Sequence, residues 1–282
     1  MKKLILYSTS QYQVKLKQLC APLEKHFGIT DVSFLAVQDK VDVINLHTNV
    51  AWVEHCLEQN YYNCDPLMVH PTNISSGFAT WDSYRDGTYA SSMLFDAIYK
   101  FNMCNGFSYV EKHGNSFQSF GFSADRENYK MQNAVFNNIK LLKNIIAQVQ
   151  QYMQLVWKDL CAYSVNGVSL KGDLFHTQPG LVQSKLTMQE KLQFLQQIKL
   201  LDHRLKNLSI SPQERRCIRL YLEGNTAAET AVLLHLSRRT VEGYMENIKE
   251  KLCCRYKKNL HDLLPLFECL NIIDYPDDNA WA

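Results

Sequence analysis

The stretch "LSRRTVEGYMENIKEKL", residues 236–252, decides how the second half of the chain is read. Val241, Met245, Ile248 and Leu252 recur at spacings of four, three and four, so they share one side of a helix, with Tyr244 at its edge. Arg239, Gly243, Glu246 and Glu250 point the other way, flanked by Glu242 and Asn247. Such a helix is either a solvated surface element or one shaped for a DNA groove, and the flanking sequence has to separate the two.

The flanks agree with one another. "SPQE" (211–214) is a capping box, with Ser211 as N-cap, Pro212 at the first helical position and Glu214 reaching back. The helix it opens runs to about Glu223, buries Cys217, Ile218, Tyr221 and Leu222, and stops at Gly224. Thr226 caps a short second helix with Ala231, Leu234 and Val232 as inward candidates; "HLS" (235–237) is the turn, and Ser237 caps the opening helix. Two short helices joined by a tight turn, the second narrow and polar outside, are the parts of a helix-turn-helix.

The whole motif resembles the LuxR-type helix-turn-helix of bacterial transcription factors over about 45 residues. It shares the Ser-Pro-x-Glu-Arg opening, Gly224, Glu229, Ala231, Ser237, Thr240–Val241, Asn247 and Lys251–Leu252. The resemblance implies double-stranded DNA as partner: Ser237, Arg238, Arg239 and Thr240 toward phosphates and Glu242, Gly243, Glu246 and Asn247 toward base edges, with Thr226 and Lys251 also in the DNA-binding set. His235 stands where that family has a turn glycine, a position that histidine tolerates among non-glycine residues. Leu260, Leu263, Leu264 and Phe267 continue at helical spacing, and the resemblance implies a homodimer contact on that fourth helix, which Pro265 would kink.

Composition sets the frame. The 282 residues are enough for two domains, and 46% hydrophobic with 21% charged is ordinary for a soluble chain. No apolar run reaches the roughly 20 residues that span a bilayer, and "MKKLILYSTSQYQ" is too short in apolar character for a signal peptide, so a cytoplasmic protein without a membrane partner is expected. Nine dispersed cysteines without CxxC pairs read as reduced thiols; no metal or cofactor is expected. The net charge of +2 is uneven: residues 206–265 hold eleven Lys/Arg against seven Asp/Glu.

The front of the chain reads as α+β, an α-β-α sandwich of antiparallel sheet flanked by helices. Ser10 to Phe27 has an amphipathic pattern with Val14, Leu16, Leu19, Leu23 and Phe27 inward. "VSFLAV" (32–37) and "VDVINL" (41–46) form a hairpin around "QDK", a helix covers 50–59, and a third strand lies near 78–81. A helix at 89–101, a second hairpin around "HGN" and a long helical pattern over 127–160 complete it. The divisions are 1–163, a linker with an amphipathic helix at 164–208, and the DNA-binding domain at 209–282. A receiver domain is disfavoured, because no acidic pair sits beside the first strand.

A second resemblance lies within 48–81. Trp52, Asp65–Pro66 thirteen residues later, and Trp81 about fifteen further on are similar to the autoinducer-binding domain of quorum-sensing LuxR-type regulators. This implies an indole N–H for a lactone carbonyl, a carboxylate for an amide N–H and an aromatic wall over the ring. Cys56 and Thr48 stand where that family has aromatic residues, and Tyr61, Tyr62 and Tyr84 are candidates to replace the missing phenol. The other reading of the same residues is structural: Trp52 and Trp81 as core, Asp65 as a turn former before Pro66. Two other classes stay in view, a front domain that only dimerises and a thiol enzyme built on Cys64 with His47, His55, His70 or His113. No enzyme activity is expected.

Overall fold

The computed structural model describes residues 1–38, 41–84, 88–181, 186–198, 208–254, 259–270 and 272. The chain divides into two compact units, Met1–Ser184 and Lys185–Ala282.

The first unit opens on α1 (Lys2–Phe27), which ends at Gly28 in the left-handed region with φ 69°. There follow β1 (Ile29–Val37), β2 (Asp42–His47), α2 (Val50–Glu58), β3 (Gly77–Thr80), α3 (Thr88–Lys100), β4 (Cys104–His113) and β5 (Ser116–Ala124). After them come α4 (Met131–Asn137), α5 (Ile139–Leu155), α6 (Trp157–Cys161), β6 (Val165–Asn166), α7 (Gly167–Lys171) and α8 (Leu174–Thr177). The six strands form one antiparallel sheet in the order β3-β4-β5-β1-β2-β6.

Period-two alternation gives the sheet two buried faces. Val32, Phe34, Ala36, Ile44, Leu46, Phe107, Tyr109, Phe120 and Phe122 meet Leu16, Leu23 and Phe27 of α1 and Leu142, Ile146, Val149 and Met153 of α5. On the other face Leu35, Val37, Val43, Val110 and Phe117 meet Ile5, Val53, Leu57, Met68, Val69 and Phe175. Each fully buried aliphatic or aromatic side chain contributes about 1.5–3 kcal/mol. The result is the three-layered α-β-α sandwich expected from the strand pattern.

Several details differ from the expectations. The first helix starts eight residues earlier, and its inward stripe runs through Ile5, Tyr12, Leu16 and Cys20, which leaves Val14 64% exposed. The pattern over 127–160 is three helices, broken at Asn138 and Val156, where the backbone leaves helical geometry. Residues 164–180 read as linker, yet β6 pairs with β2, Asn166 caps α7, and Phe175 is fully buried, so this segment packs into the first unit. Of the linker helix, α9 (Met188–Gln197) carries a Thr187–Glu190 capping box; its expected continuation over 199–207 lies outside the described residues.

The second unit holds α10 (Pro212–Leu222), α11 (Ala227–Leu233), α12 (Arg238–Lys251), α13 (Asn259–Asp262) and α14 (Leu264–Cys269). Ser211 and Thr226 both form full capping boxes, with Glu214 and Glu229. Cys217, Ile218, Ala231, Val241, Met245, Ile248, Leu252, Leu260 and Phe267 make one core. His235 takes φ 54°, the left-handed turn conformation expected at that position. Val232 is 74% exposed, so the short helix turns inward through Thr230 and Ala231 instead. The fourth helix is split at Leu263, with Pro265 at the start of its second half. Residues 255–258 lie outside the described residues.

Candidate ligand cavity and DNA interface

The first unit encloses a cavity of about 130 Å³ between one sheet face, α2, α3 and the 61–68 loop. Trp52, Cys56, Tyr61, Tyr62, Asp65 and Trp81, scattered over thirty residues of sequence, all lie on its wall. The side chain of Tyr84 lies outside the described residues.

Trp52 is set by the cap of its own helix: the Asn49 side chain accepts from the Trp52 backbone N–H at 3.1 Å. Its indole packs edge-on to Phe101 at 5.1 Å and near His55 and Tyr61. Among the described residues its indole N–H has no protein partner. The Trp81 N–H differs, because it donates to Ser108 Oγ at 2.9 Å. Trp81 lies flat on the sheet where there are no side chains to lift it: a Cβ at Gly106 would come within 2.0 Å of its ring.

Asp65 is a turn former that also lies on the cavity wall. Its Oδ1 accepts from the Leu67 backbone N–H at 2.8 Å, forming the turn around Pro66, and the residue lines the cavity. Burial raises its pKa, opposed by the backbone N–H groups of Leu67 and Met68 and by the charge of Lys171. Lys171, 5% exposed, donates to the Asp65 and Met68 carbonyls at 3.1 and 2.8 Å and so fastens this loop. Its own pKa is pushed down to about 8 by burial, against the pull of Asp65. Nothing in the sequence pointed to Lys171, which lies over a hundred residues from the loop.

The phenol expected from Tyr61 is already engaged. Its hydroxyl donates to Asp96 Oδ2 at 2.8 Å, beside His55 Nε2 at 2.6 Å and Lys100 Nζ at 3.0 Å on the same oxygen. Tyr62 donates to Asn60 Oδ1 at 2.7 Å. Cys56 puts a thiol on the wall, its pKa raised by burial. The Cys64 thiol donates to the Tyr61 carbonyl at 3.2 Å and is pushed up to about 12, chiefly by burial. That disfavours the thiolate a nucleophile needs.

The second unit presents the polar side of α12 to solvent. Arg238, Arg239, Thr240, Gly243, Glu246 and Asn247 are exposed, while Val241, Met245 and Ile248 are 0–3% exposed. The Ser237 hydroxyl accepts from the Thr240 backbone N–H at 3.0 Å and pairs with the Thr240 hydroxyl at 2.7 Å. Arg238 Nε donates to Glu242 at 2.8 Å, and Glu246 pairs with Lys249, so both carboxylates are partly neutralised within the helix. Two residues of the expected DNA-binding set are occupied. The Thr226 hydroxyl donates to Glu229 at 2.7 Å, and the Lys251 ammonium is held by both oxygens of the buried Glu214.

A helix-turn-helix with its polar face open, and a separate unit with a cavity, define a two-part transcription regulator. Residues 208–264 match the model of bacterial regulatory proteins of the luxR family, and residues 15–134 match that of the autoinducer binding domain. The chain thus reads as a LuxR-type DNA-binding regulator, with an autoinducer-binding domain in front of a luxR-family DNA-binding domain. A comparison with curated proteins gives no match. Among solved structures, SdiA of Escherichia coli shares 16% identity with a TM-score of 0.33, over 96% of this chain and 98% of that one. SdiA in complex with octanoyl-rac-glycerol shares 17% and the same TM-score, over 98% and 96%. No described helix is long and apolar enough to cross a membrane.

Proposed function

We propose that this regulator binds an uncharged small molecule in the front cavity and that occupancy controls how a homodimer engages a two-fold DNA site in the cytoplasm. The observation that carries the reading is the gathering of Trp52, Asp65 and Trp81 on one cavity wall. The Trp52 N–H, without a partner among the described residues, offers a donor to a carbonyl, and Asp65 offers an acceptor to an amide N–H or hydroxyl. Trp81, tied to Ser108, supplies a fixed aromatic wall. Acyl-homoserine lactones have this pairing of groups, as do other amide- or hydroxyl-bearing amphiphiles. Bound ligand holds α2, α3 and the 61–68 loop in one arrangement.

In the second unit, Ser237, Arg239 and Thr240 face phosphates and Glu242, Gly243, Glu246 and Asn247 face base edges. A carboxylate reads cytosine N4 and repels phosphate, which fits a protein with weak non-specific affinity. Thr226 and Lys251 serve mainly the scaffold, because their polar groups are already paired. Mass spectrometry of the protein purified from its own host tests the sensor: a retained small molecule that raises the melting temperature and alters DNA affinity is expected. Equal DNA affinity with and without every retained molecule would leave a ligand-independent regulator.

A further inference from the structure

The loop that carries Asp65 cannot satisfy its own backbone. Pro66 and Pro71 keep residues 64–73 out of a sheet ladder, so their carbonyls must find donors elsewhere. The donors come from residues 171–181, at the end of the first unit. Lys171 Nζ donates to the Asp65 and Met68 carbonyls, and Gln178 Nε2 to the Cys64 carbonyl at 3.0 Å. The Leu181 backbone N–H donates to the Pro66 carbonyl at 3.1 Å.

The seam is also fastened from the loop side. The His70 backbone N–H donates to the Phe175 carbonyl at 2.8 Å, and the Asn73 amide donates to the His176 and Gln178 carbonyls at 2.7 and 3.0 Å. Gly180 returns a backbone bond to the Asn73 carbonyl at 3.1 Å. A Cβ at Gly180 would lie 2.2 Å from that oxygen, so a side chain there would force the two segments apart. Phe175, fully buried in one core with Met68 and Val69, pins the segment in place.

The seam borders the cavity on both of its sides. Asp65, Pro66, Leu67 and Met68 line it from the loop, and Leu181 lines it from the strap, so an occupant that touches both favours the closed seam. Beyond Leu181 only six residues, 182–187, precede α9, whose Leu192 and Leu195 are buried in the core of the second unit. A join this short passes on a displacement that a long flexible one would absorb. We propose that the strap 171–181 is the element that couples the cavity to the DNA-binding unit, with the seam closed in the state that binds DNA. This rests on the ligand and DNA reading above and names its route.

Coupling between two sites is reciprocal, so DNA acts on the loop as strongly as the loop acts on DNA. The test therefore works from the DNA side: hydrogen exchange of the full chain is followed with and without a duplex that the protein has selected from a random pool. Backbone exchange in 64–73 and 171–181 should slow together, by about fivefold, when the duplex binds. Asn73→Asp keeps the size of the side chain but loses the amide that holds His176 and Gln178. It should remove the slowing and weaken DNA binding by about fivefold, with the fold unchanged by circular dichroism. Gly180→Ala, which forces the same seam open by contact with the Asn73 carbonyl, should do likewise. A duplex that binds while exchange in 64–73 stays the same or quickens, or slows equally in Asn73→Asp, overturns the proposal and leaves the DNA reading standing. Failure to select any duplex removes the DNA reading, and the coupling with it.

Discussion

The Lys251 ammonium lies 2.8 and 2.7 Å from the two oxygens of Glu214, so the last turn of α12 is tied to the first turn of α10. Glu214 is 3% exposed, and its Oε2 also accepts from the backbone N–H of Ser211. One carboxylate therefore closes a capping box and anchors α12.

Lys251→Met should destabilise the second unit by about 1–3 kcal/mol, since it leaves a buried carboxylate short of a partner. Burial alone would raise the Glu214 pKa, but Lys251 and Ser211 outweigh it and hold the carboxyl below its usual range. A depressed folded pKa means stability that is present above the unfolded value of about 4.3 and is lost as pH falls through the folded value. Acid titration by circular dichroism should show this loss in the wild type and a weaker one in Lys251→Met.

Gly243 separates stability from binding. A Cβ there meets nothing within 4 Å, and glycine inside a helix costs about 1 kcal/mol relative to alanine. Gly243→Ala should therefore raise the melting temperature. On a helix lying in the major groove the added methyl meets bases, so DNA affinity should drop in a mobility-shift titration. An unchanged affinity would remove residue 243 from the interface.

Gly106→Ala should act on the cavity. The new methyl would collide with the Trp81 ring at 2.0 Å, costing about 1–3 kcal/mol in overpacking and pushing the indole off the sheet. Ligand-induced thermal stabilisation should fall with it. Retention of the full ligand shift would show that Trp81 is not a wall of the bound site.

Asp96 holds Tyr61, His55 and Lys100 on one oxygen. Burial raises its pKa, and the hydrogen bonds from His55, Lys100 and Tyr61 overcome this and bring it below the ordinary value. Its contribution is thus complete above the unfolded pKa near 3.9 and disappears as pH drops through the folded one. Asp96→Asn should remove that acid dependence and loosen Tyr61, read as a weaker ligand affinity beside a small drop in the melting temperature of the free protein.

Legibility followed the range of the interaction. The caps at Ser211, Thr226 and Ser237 and the stripe from Val241 to Leu252 depend on neighbours within a turn or two, and they stand as the sequence implies. Trp52, Asp65 and Trp81 were legible as a spacing, but their meeting in one cavity depends on a fold that spacing does not encode. His47 was not legible as a residue of the cavity wall, because its place there follows from the β1–β2 register. Lys171 and Lys251 are both spoken for by groups far away in sequence, and a lone lysine carries no mark of that. Val14 and Val232 misled because an apolar residue on the surface costs little, so hydropathy alone overstates inwardness.

The cavity wall includes Ile5 and Leu181, whereas the segment shared with the autoinducer-binding family spans 15–134. Lys2 reinforces the near side, donating to the Leu57 carbonyl and Asn60 and lying over the Tyr62 ring. A fragment trimmed to the shared segment would be missing two panels of its chamber, and the space they seal would open to water.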